Sequence, residues 1–216
     1  MAELDPTGQR IVGVLIEKQL SVPDSYPLTE NSLVAGCNQS SNRDPIGEYE
    51  SFQIAGALMA LHEQNWVARV EGASRVPKYR HRADERLGAD PKILAVMAEL
   101  LLRGPQAPGA LKPRVARMGY HAEPAAIEAL LRDLAAHRPP LVEQLPLGPR
   151  ERDRRWRHLL GPRAESSVPS VPAAPAPVSH PTRPTATPAP PDLTDRVTTL
   201  EAEVAELRRR LDALGG

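Results

Sequence analysis

The sequence lacks several features that would point to a particular class of function. Its 216 residues include a single cysteine, Cys37, which excludes an intramolecular disulfide and a cysteine-based zinc cluster. The 27 basic and 27 acidic side chains balance, so no global field attracts a polyanion or a membrane surface. No apolar run approaches the length of a membrane span, and residues 1–6 lack the apolar core of a secretion signal. We therefore predict a cytoplasmic protein without a membrane partner.

Signatures of catalysis are also missing. The six histidines show no metal-ligand spacing, and no glycine-rich phosphate loop occurs. Cys37 falls on the apolar side of a predicted helix, which is typical of a buried, inert thiol. Glu17 with Lys18 could form a functional pair, although ions on a helix surface or a bridge between domains are simpler interpretations. We predict no enzyme activity, no cofactor and no metal.

Charge and composition change along the chain. Residues 1–86 hold 9 basic and 12 acidic side chains, residues 87–163 hold 13 and 8, and residues 164–216 hold 5 and 7. Ten of the thirty-one residues from Gly161 to Pro191 are proline, which predicts a disordered spacer at 162–191. The globular part therefore spans about 160 residues, enough for two small domains.

The first 86 residues predict three helices followed by a β-hairpin. Asp5 and Pro6 are typical of a helix start, Thr29 or Asn31 can cap a second helix, and a third helix begins between Gly47 and Ser51. After Asn65, which suits the left-handed position that ends a helix, the pattern alternates as in strands. Pro77 would place its strand at a sheet edge or direct its nitrogen outward. This element order is that of a winged helix.

Residues 87–161 predict the same order of elements again. Asp90-Pro91 repeats the helix start, and the strand pattern Lys78-Tyr79-Arg80-His81 returns 77 positions later as Arg155-Trp156-Arg157-His158. We predict a mainly α fold with small β-hairpins (α+β), in which winged-helix domains at 1–86 and 87–161 arose by duplication and pack together. Tyr79 and Trp156 are expected in the core.

The C-terminal segment at 192–214 carries a heptad pattern. Valine dominates the first apolar position of each heptad and leucine the second, which favours a parallel coiled-coil homodimer. A lone amphipathic helix that docks back on the domains is the alternative. The predicted dimerisation residues are Leu193, Val197, Leu200, Val204, Leu207, Leu211 and Leu214.

The polar turn from Cys37 to Pro45 lies between the second and third predicted helices. Its amides and hydroxyls can cap those helices or present donors to a partner, and capping is the favoured interpretation. Asn42 and Arg43 are the side chains expected to point outward, so both are candidate contacts for nucleic acid.

Winged helices read DNA mainly with the third helix, and the two predicted third helices carry few cations. Their outward positions are expected to hold Gln53, Gly56, Ala60 and Glu63 in the first domain and Glu123, Glu128, Arg132 and Asp133 in the second. Since phosphate contacts supply much of the affinity for DNA, the hairpins are the better candidates. The predicted hairpin contacts are Arg75, Lys78, Arg80, Arg82, Arg152, Arg154, Arg155 and Arg157.

Two interpretations of these cations stay open. The leading functional hypothesis is a DNA-associated transcriptional regulator whose hairpins contact double-stranded DNA. The hairpin arginines could equally be solvated and balanced by nearby acids such as Glu85 and Glu151. A protein-interaction scaffold that uses its winged helices to bind a protein partner is the alternative function, because the third helices are acidic.

The chain resembles the YceH family of uncharacterised bacterial proteins over about residues 6–161. The resemblance is carried by these runs: Leu15-Ile16-Glu17-Lys18, Pro23-Asp24-Ser25-Tyr26-Pro27-Leu28-Thr29, Cys37-Asn38-Gln39 with Ser41-Asn42-Arg43-Asp44-Pro45, Ser74-Arg75-Val76-Pro77-Lys78-Tyr79-Arg80-His81 and Leu101-Leu102-Arg103-Gly104-Pro105-Gln106. It implies a tandem winged-helix fold and no settled activity. Ser40 departs from the family pattern, in which a lysine is common, and removes a cation from the turn.

Overall fold

A computed structural model describes residues 3–71, 76–149 and 151–161, which form a mixed α/β structure with small antiparallel sheets. The helices of this part are α1 Pro6–Ser21, α2 Glu30–Cys37, α3 Ser51–Glu63, α4 Ala83–Leu87, α5 Pro91–Arg103, α6 Pro108–Ala116 and α7 Pro124–Ala136, with a 3-10 turn at Pro23–Ser25. The strands are β1 Leu28–Thr29, β2 Val67–Val70, β3 Lys78–His81, β4 Val142–Gln144 and β5 Trp156–His158.

The helix starts follow the predicted capping residues. Asp5 accepts the Gly8 N–H at 2.6 Å, and Asp90 accepts the Lys92 N–H at 2.9 Å, in each case just before a proline at the first helical position. Thr29, and not Asn31, caps α2. Helix α6 starts at Pro108, because proline suits the first turn, where its missing N–H has no partner.

The strands of the two sheets pair in the same arrangement. In the first, the strand order is β1-β3-β2, with Val67 opposite His81 and Leu28 opposite Tyr79. In the second, Val142 lies opposite His158. Trp156 there pairs with Gln144 on one side and with Gln106, in the segment before α6, on the other. Both sheets therefore hold their last strand between a hairpin partner and the segment before the second helix.

Pro77 was expected to place its strand at a sheet edge or to direct its nitrogen outward, and the first of these alternatives is wrong. Strand β3 is the central strand of its sheet, because β1 and β2 pair with its two sides. Pro77 precedes the first residue of β3, so its missing N–H removes no hydrogen bond from the ladder.

The two halves pack against each other through α1 and α5. Gly13 sits at their closest approach, where an added Cβ would meet the Leu102 side chain at 2.9 Å and the Leu101 Cβ at 3.2 Å. Buried side chains of both halves form one continuous core, and the Leu4 N–H donates to the Leu160 carbonyl at 2.7 Å. The expected packing of the halves is confirmed, whereas the domain boundaries at 86 and 161 stay predictions.

Some predicted features lie outside the part of the chain that the structure describes. These are Arg75, the proline-rich segment at 162–191 and the heptad segment at 192–214. Among the helices that the structure describes, none is long and apolar enough to cross a membrane.

Candidate functional site

The polar turn between α2 and α3 is held by its own side chains. The Asn38 amide donates to the Tyr49 carbonyl at 2.9 Å and accepts the Tyr49 N–H at 2.7 Å. The Asp44 N–H donates to the Leu102 carbonyl at 3.0 Å and so ties the turn to α5. Asn42 is half-buried with φ of 60°, a left-handed conformation that asparagine tolerates better than most residues. These contacts fix the turn in place, whereas the N-terminus of α3 is capped by Glu50 and Gln53, which lie after the turn.

The prediction that Arg43 points outward is wrong. Its side chain is fully buried, and its guanidinium contacts the Glu17 carboxylate at 2.7 and 3.3 Å. The guanidinium also donates to the carbonyls of Gly36, at 2.9 Å, and Asn42, at 2.8 Å. A buried carboxylate needs a charged, hydrogen-bonded partner, and Arg43 is that partner for Glu17. Arg43 is therefore a structural link from the turn to α1 and is not available to DNA.

The Glu17 carboxylate lies closer to Arg43 than to Lys18, the partner that the sequence suggested. The Lys18 ammonium lies 3.9 Å from the Glu17 carboxylate, farther than the Arg43 guanidinium, and also contacts Gln39. Glu17 is itself buried. Glu17 therefore links α1 to the turn, within the first half of the chain.

A second buried carboxylate lies on α5. Glu99 contacts the partly exposed Arg117 guanidinium at 3.3 Å. Burial raises the pKa of the Glu99 carboxyl, and the positive charges of Arg117 and Arg114 only partly offset that effect. The neighbouring Gln106 amide donates to the Glu99 carbonyl at 3.0 Å and accepts from Arg114. These contacts leave one Glu99 carboxylate oxygen, Oε2, buried without a hydrogen-bond partner among the described residues, which agrees with the raised pKa of this carboxyl.

Cys37 has the properties of the inert thiol that the sequence predicted. The residue is fully buried against the core, and burial raises the pKa of the thiol to about 12. Since a thiolate is the nucleophilic form, this cysteine is unreactive at neutral pH. The described part of the chain also contains no group of three or more His, Cys, Asp or Glu side chains that could hold a metal.

The first hairpin directs most of its cations toward acids of its own half. Arg80 and Arg82 each approach the Glu85 carboxylate at 3.8 Å. Lys78 is exposed, and no ion pair involves it among the residues that the structure covers. Tyr79 is half-buried against the core, as predicted. The hairpin thus presents less net charge than its sequence suggests.

The second hairpin is partly neutralised in the same way. Arg155 contacts Glu151 at 2.8 Å, and Arg157 forms an ion pair with Glu143. Arg152 and Arg154 are exposed and make no ion pair within residues 151–161 or the rest of the described chain. Trp156 is buried as predicted, and its indole N–H donates to the Glu128 carboxylate at 3.1 Å. Glu128 therefore binds the indole of the buried Trp156. The sequence had predicted Glu128 on the outward face of the helix.

A cleft of about 400 Å³ lies beside this hairpin. Its lining combines charges of both signs, namely Asp44, Arg103, Pro105, Gln106, Ala107, Ala110, Arg114, Glu151, Arg152, Asp153 and Arg155. Four arginines and three acids face one another there, and two of the arginines already bond to Glu151 and Gln106. The cleft therefore does not select a ligand of one charge.

The outward face of α3 has a different character. Phe52 is 75% exposed and Met59 is 68% exposed, although both are large apolar side chains. Gly56 lies between them on the same face, and an added Cβ there would meet no atom within 4 Å. No lysine or arginine occurs in α3, and Glu63 ends the helix. Exposed apolar surface often marks a binding site, so this face, with two large apolar side chains, is the candidate site.

The sequence partly indicated this surface. Gly56 and Glu63 were placed on the outward face of the third helix, and both are exposed. The sequence analysis did not identify Phe52 and Met59. Both lie outside the helix face that the buried residues Ile54, Leu58 and Leu61 define, so their positions in the helical pattern could have indicated their exposure.

Comparison with known proteins assigns the chain to a family. Residues 4–151 match the family described as "Protein of unknown function, DUF480". The chain belongs to this DUF480 family. A UPF0502 protein of Geobacter sulfurreducens is 46% identical over 157 residues, which cover 73% of this chain and 72% of that protein. These matches confirm the predicted membership in an uncharacterised bacterial family of the YceH type.

Two other relatives of this DUF480 protein are similar over almost the whole chain. A UPF0502 protein of Pelobacter propionicus is 39% identical over 213 residues, covering 99% of this chain and 97% of its own. One from Paraburkholderia phymatum is 38% identical over 210 residues, covering 96% and 89%. The similarity therefore continues past residue 161, where the sequence resemblance was expected to end.

Proposed function

We propose that this DUF480 protein is a non-enzymatic adaptor, made of two winged-helix modules, that binds a protein partner through the outward face of α3. The element order supports the winged-helix part: helix, short strand, two helices and a hairpin in the first half, with a matching order in the second. The equivalent registers of Val67 with His81 and Val142 with His158 support an origin by duplication.

The observation that carries the proposal is the composition of the α3 face. A winged helix that reads DNA places this helix in the major groove, where phosphate contacts from Lys and Arg supply much of the affinity. Helix α3 offers no such cation and instead exposes Phe52 and Met59. Aromatic residues and methionine are enriched at protein–protein interfaces. The one charged residue of α3 that is ionised at neutral pH, Glu63, is acidic and would oppose phosphate. A protein partner therefore fits this surface better than DNA does.

Site-specific photo-crosslinking tests the proposal. A photoreactive amino acid at Gly56 has open space on the α3 face, and the same residue at exposed Ala129 on α7 is the control. We expect a protein adduct of one defined mass from position 56 that survives nuclease treatment and is lost with Phe52→Ser. A nucleic-acid adduct, or equal labelling from both positions, would contradict the proposal.

A second candidate function is DNA contact through the hairpins, as the sequence predicted. The exposed side chains of Lys78, Arg152 and Arg154 favour it, because none forms an ion pair within the described ranges. Fluorescence anisotropy with mixed-sequence duplexes in a salt series tests it. If the hairpins bind DNA, replacing all three residues by alanine will reduce both the affinity and the salt slope. The cytoplasmic location and the homodimer stay predictions.

A further inference from the structure

We infer that the α3 face binds a partner segment in which apolar side chains are flanked by lysine or arginine. This inference rests on the proposed function and specifies the chemistry of the partner. It combines two observations. The first is the shape of the apolar stripe, which consists of Phe52, Gly56 and Met59 on α3, and the second is the charge of the residues near it in the chain.

The apolar stripe has two projecting side chains with a gap between them. Phe52, Gly56, Met59 and Glu63 follow one another at intervals of four, three and four residues, so they share one face of α3. At about 1.5 Å per residue, Phe52 and Met59 are roughly 10 Å apart along the helix axis. Because no side chain fills the space at Gly56, an apolar side chain of the partner can insert between them.

The chain segment that contains α3 carries charged side chains of one sign, and two cations from outside it, Arg82 and Arg86, contact Asn65 and Gln64 just past the end of the helix. Residues 44–68 contain no lysine or arginine, and their acidic residues are Asp44, Glu48, Glu50 and Glu63. All four are exposed. None takes part in an ion pair among residues 3–71, 76–149 and 151–161. The nearby Arg10 is buried and donates to the Pro45 carbonyl at 2.5 Å, so it stabilises the loop from beneath.

Glu48 and Glu50 precede Phe52, and Glu63 follows Met59 on the same helix, so three carboxylates flank the apolar side chains along the chain. Asp44 lies apart from them, in the cleft that Arg103 and Arg114 also line. A partner that supplies lysine or arginine beside its apolar side chains would neutralise the three flanking carboxylates, and an acidic partner would be repelled. This charge complementarity selects a basic, amphipathic segment as the occupant. A second copy of the chain would have to offer such a segment from its more basic second half.

The experiment uses the full-length protein with three labelled synthetic peptides as probes. One peptide combines leucine and lysine at helical spacing, one replaces lysine by glutamate, and one replaces leucine by serine. We expect saturable binding of the leucine–lysine peptide by fluorescence anisotropy, with both other peptides weaker by at least about tenfold. Equal binding of the lysine and glutamate peptides, or no binding of any peptide, would overturn the inference.

Variants with matched controls locate the binding. Phe52→Ser with Met59→Ser should weaken the leucine–lysine peptide by at least about tenfold, whereas Leu147→Ser, which alters an exposed apolar residue elsewhere, should have no effect. Gly56→Gln should also block binding, and it raises helix propensity, so the variant remains folded. Unchanged affinity in the Gly56 variant would contradict insertion at the gap.

Charge-reversal variants test whether the peptide is attracted by the carboxylates beside the stripe or by the net charge of the protein. Glu48→Lys with Glu63→Lys should weaken the leucine–lysine peptide and strengthen the leucine–glutamate peptide. Asp24→Lys with Asp133→Lys changes the net charge equally at exposed positions outside the stripe and should leave both affinities unchanged. Equal effects of the two double variants would overturn the charge requirement. The proposed function would survive that result, because the Gly56 crosslinking experiment tests it separately from the charge of the partner.

Discussion

Acidification should destabilise this protein through two histidines at matching positions of its two halves. His81 and His158 end strands β3 and β5, and each ring accepts a backbone N–H from two residues ahead. His81 Nδ1 accepts from Ala83 at 3.1 Å, and His158 Nδ1 accepts from Leu160 at 3.3 Å. A protonated Nδ1 cannot accept, so both contacts require the neutral ring.

Burial lowers the pKa of both imidazoles to about 4. The carboxylate of Asp84, 3.7 Å from the His81 ring, partly offsets burial, while the charge of Arg80 adds to it. At His158 the charge of Arg157 adds to the effect of burial. In the unfolded chain both rings regain an ordinary pKa of about 6.5. The unfolded state therefore takes up the protons first as the pH falls.

The magnitude follows from these two pKa values. The contribution of each neutral ring is fully present above pH 6.5 and is lost between pH 6.5 and about 4. At pH 5 an unfolded pKa of about 6.5 and a folded pKa of about 4 correspond to a loss of about 2 kcal/mol per histidine. The pair should therefore account for a loss of about 4 kcal/mol relative to neutral pH.

Urea unfolding at pH 7.5 and pH 5, followed by circular dichroism, measures the effect. Asparagine at positions 81 and 158 can accept the same N–H without titrating, so the double variant should lose about 4 kcal/mol less on acidification than the unmodified chain. His62→Asn changes an exposed histidine and is the control. Equal pH dependence in the double variant and the unmodified chain would refute the proposed protonation effect.

Four further changes test the packing and the assembly. Gly13→Val should lower the melting temperature, since its new side chain meets Leu102 and overpacking costs about 1–3 kcal/mol; an unchanged value would contradict the close crossing. Arg43→Met should lower the free energy of unfolding by about 3–5 kcal/mol because it leaves the Glu17 carboxylate unpaired, and adding Glu17→Gln should recover part of the loss. Ala107→Ser should raise that free energy by about 1 kcal/mol in chemical denaturation, because α6 has no side-chain cap. If the heptad prediction holds, cutting after Gly161 should convert a dimer into a monomer in sedimentation, whereas equal oligomeric states would refute it.

Local chemistry made most of the elements predictable from sequence. Asp5 and Asp90 before proline, Thr29 before α2 and Asn65 with φ of 60° act within a few residues of their own position. The alternating pattern that marks the hairpins is local as well. Such signals do not depend on which distant segments come together.

Contacts between distant residues explain what the sequence did not predict. Arg43 is buried because Glu17, 26 positions earlier, lies beneath the turn in the folded chain. Strand β3 became central because Leu28 pairs with Tyr79 across about 50 residues of sequence. The exposure of Phe52 likewise depends on which helix face the core leaves free, and spacing alone could not decide it.

The solvent accessibility of Met59 tests the central claim most directly. Met59 is exposed on the α3 face, whereas Met97 and Met118, the other methionines that the structure describes, are buried. Methionine oxidation measured by mass spectrometry therefore reports on this face alone. We predict rapid oxidation of Met59 in the purified protein and slow oxidation in intact cells, with the protection retained in lysate after nuclease treatment. Equally rapid oxidation in cells, or protection that nuclease removes, would contradict the binding of a protein partner at α3.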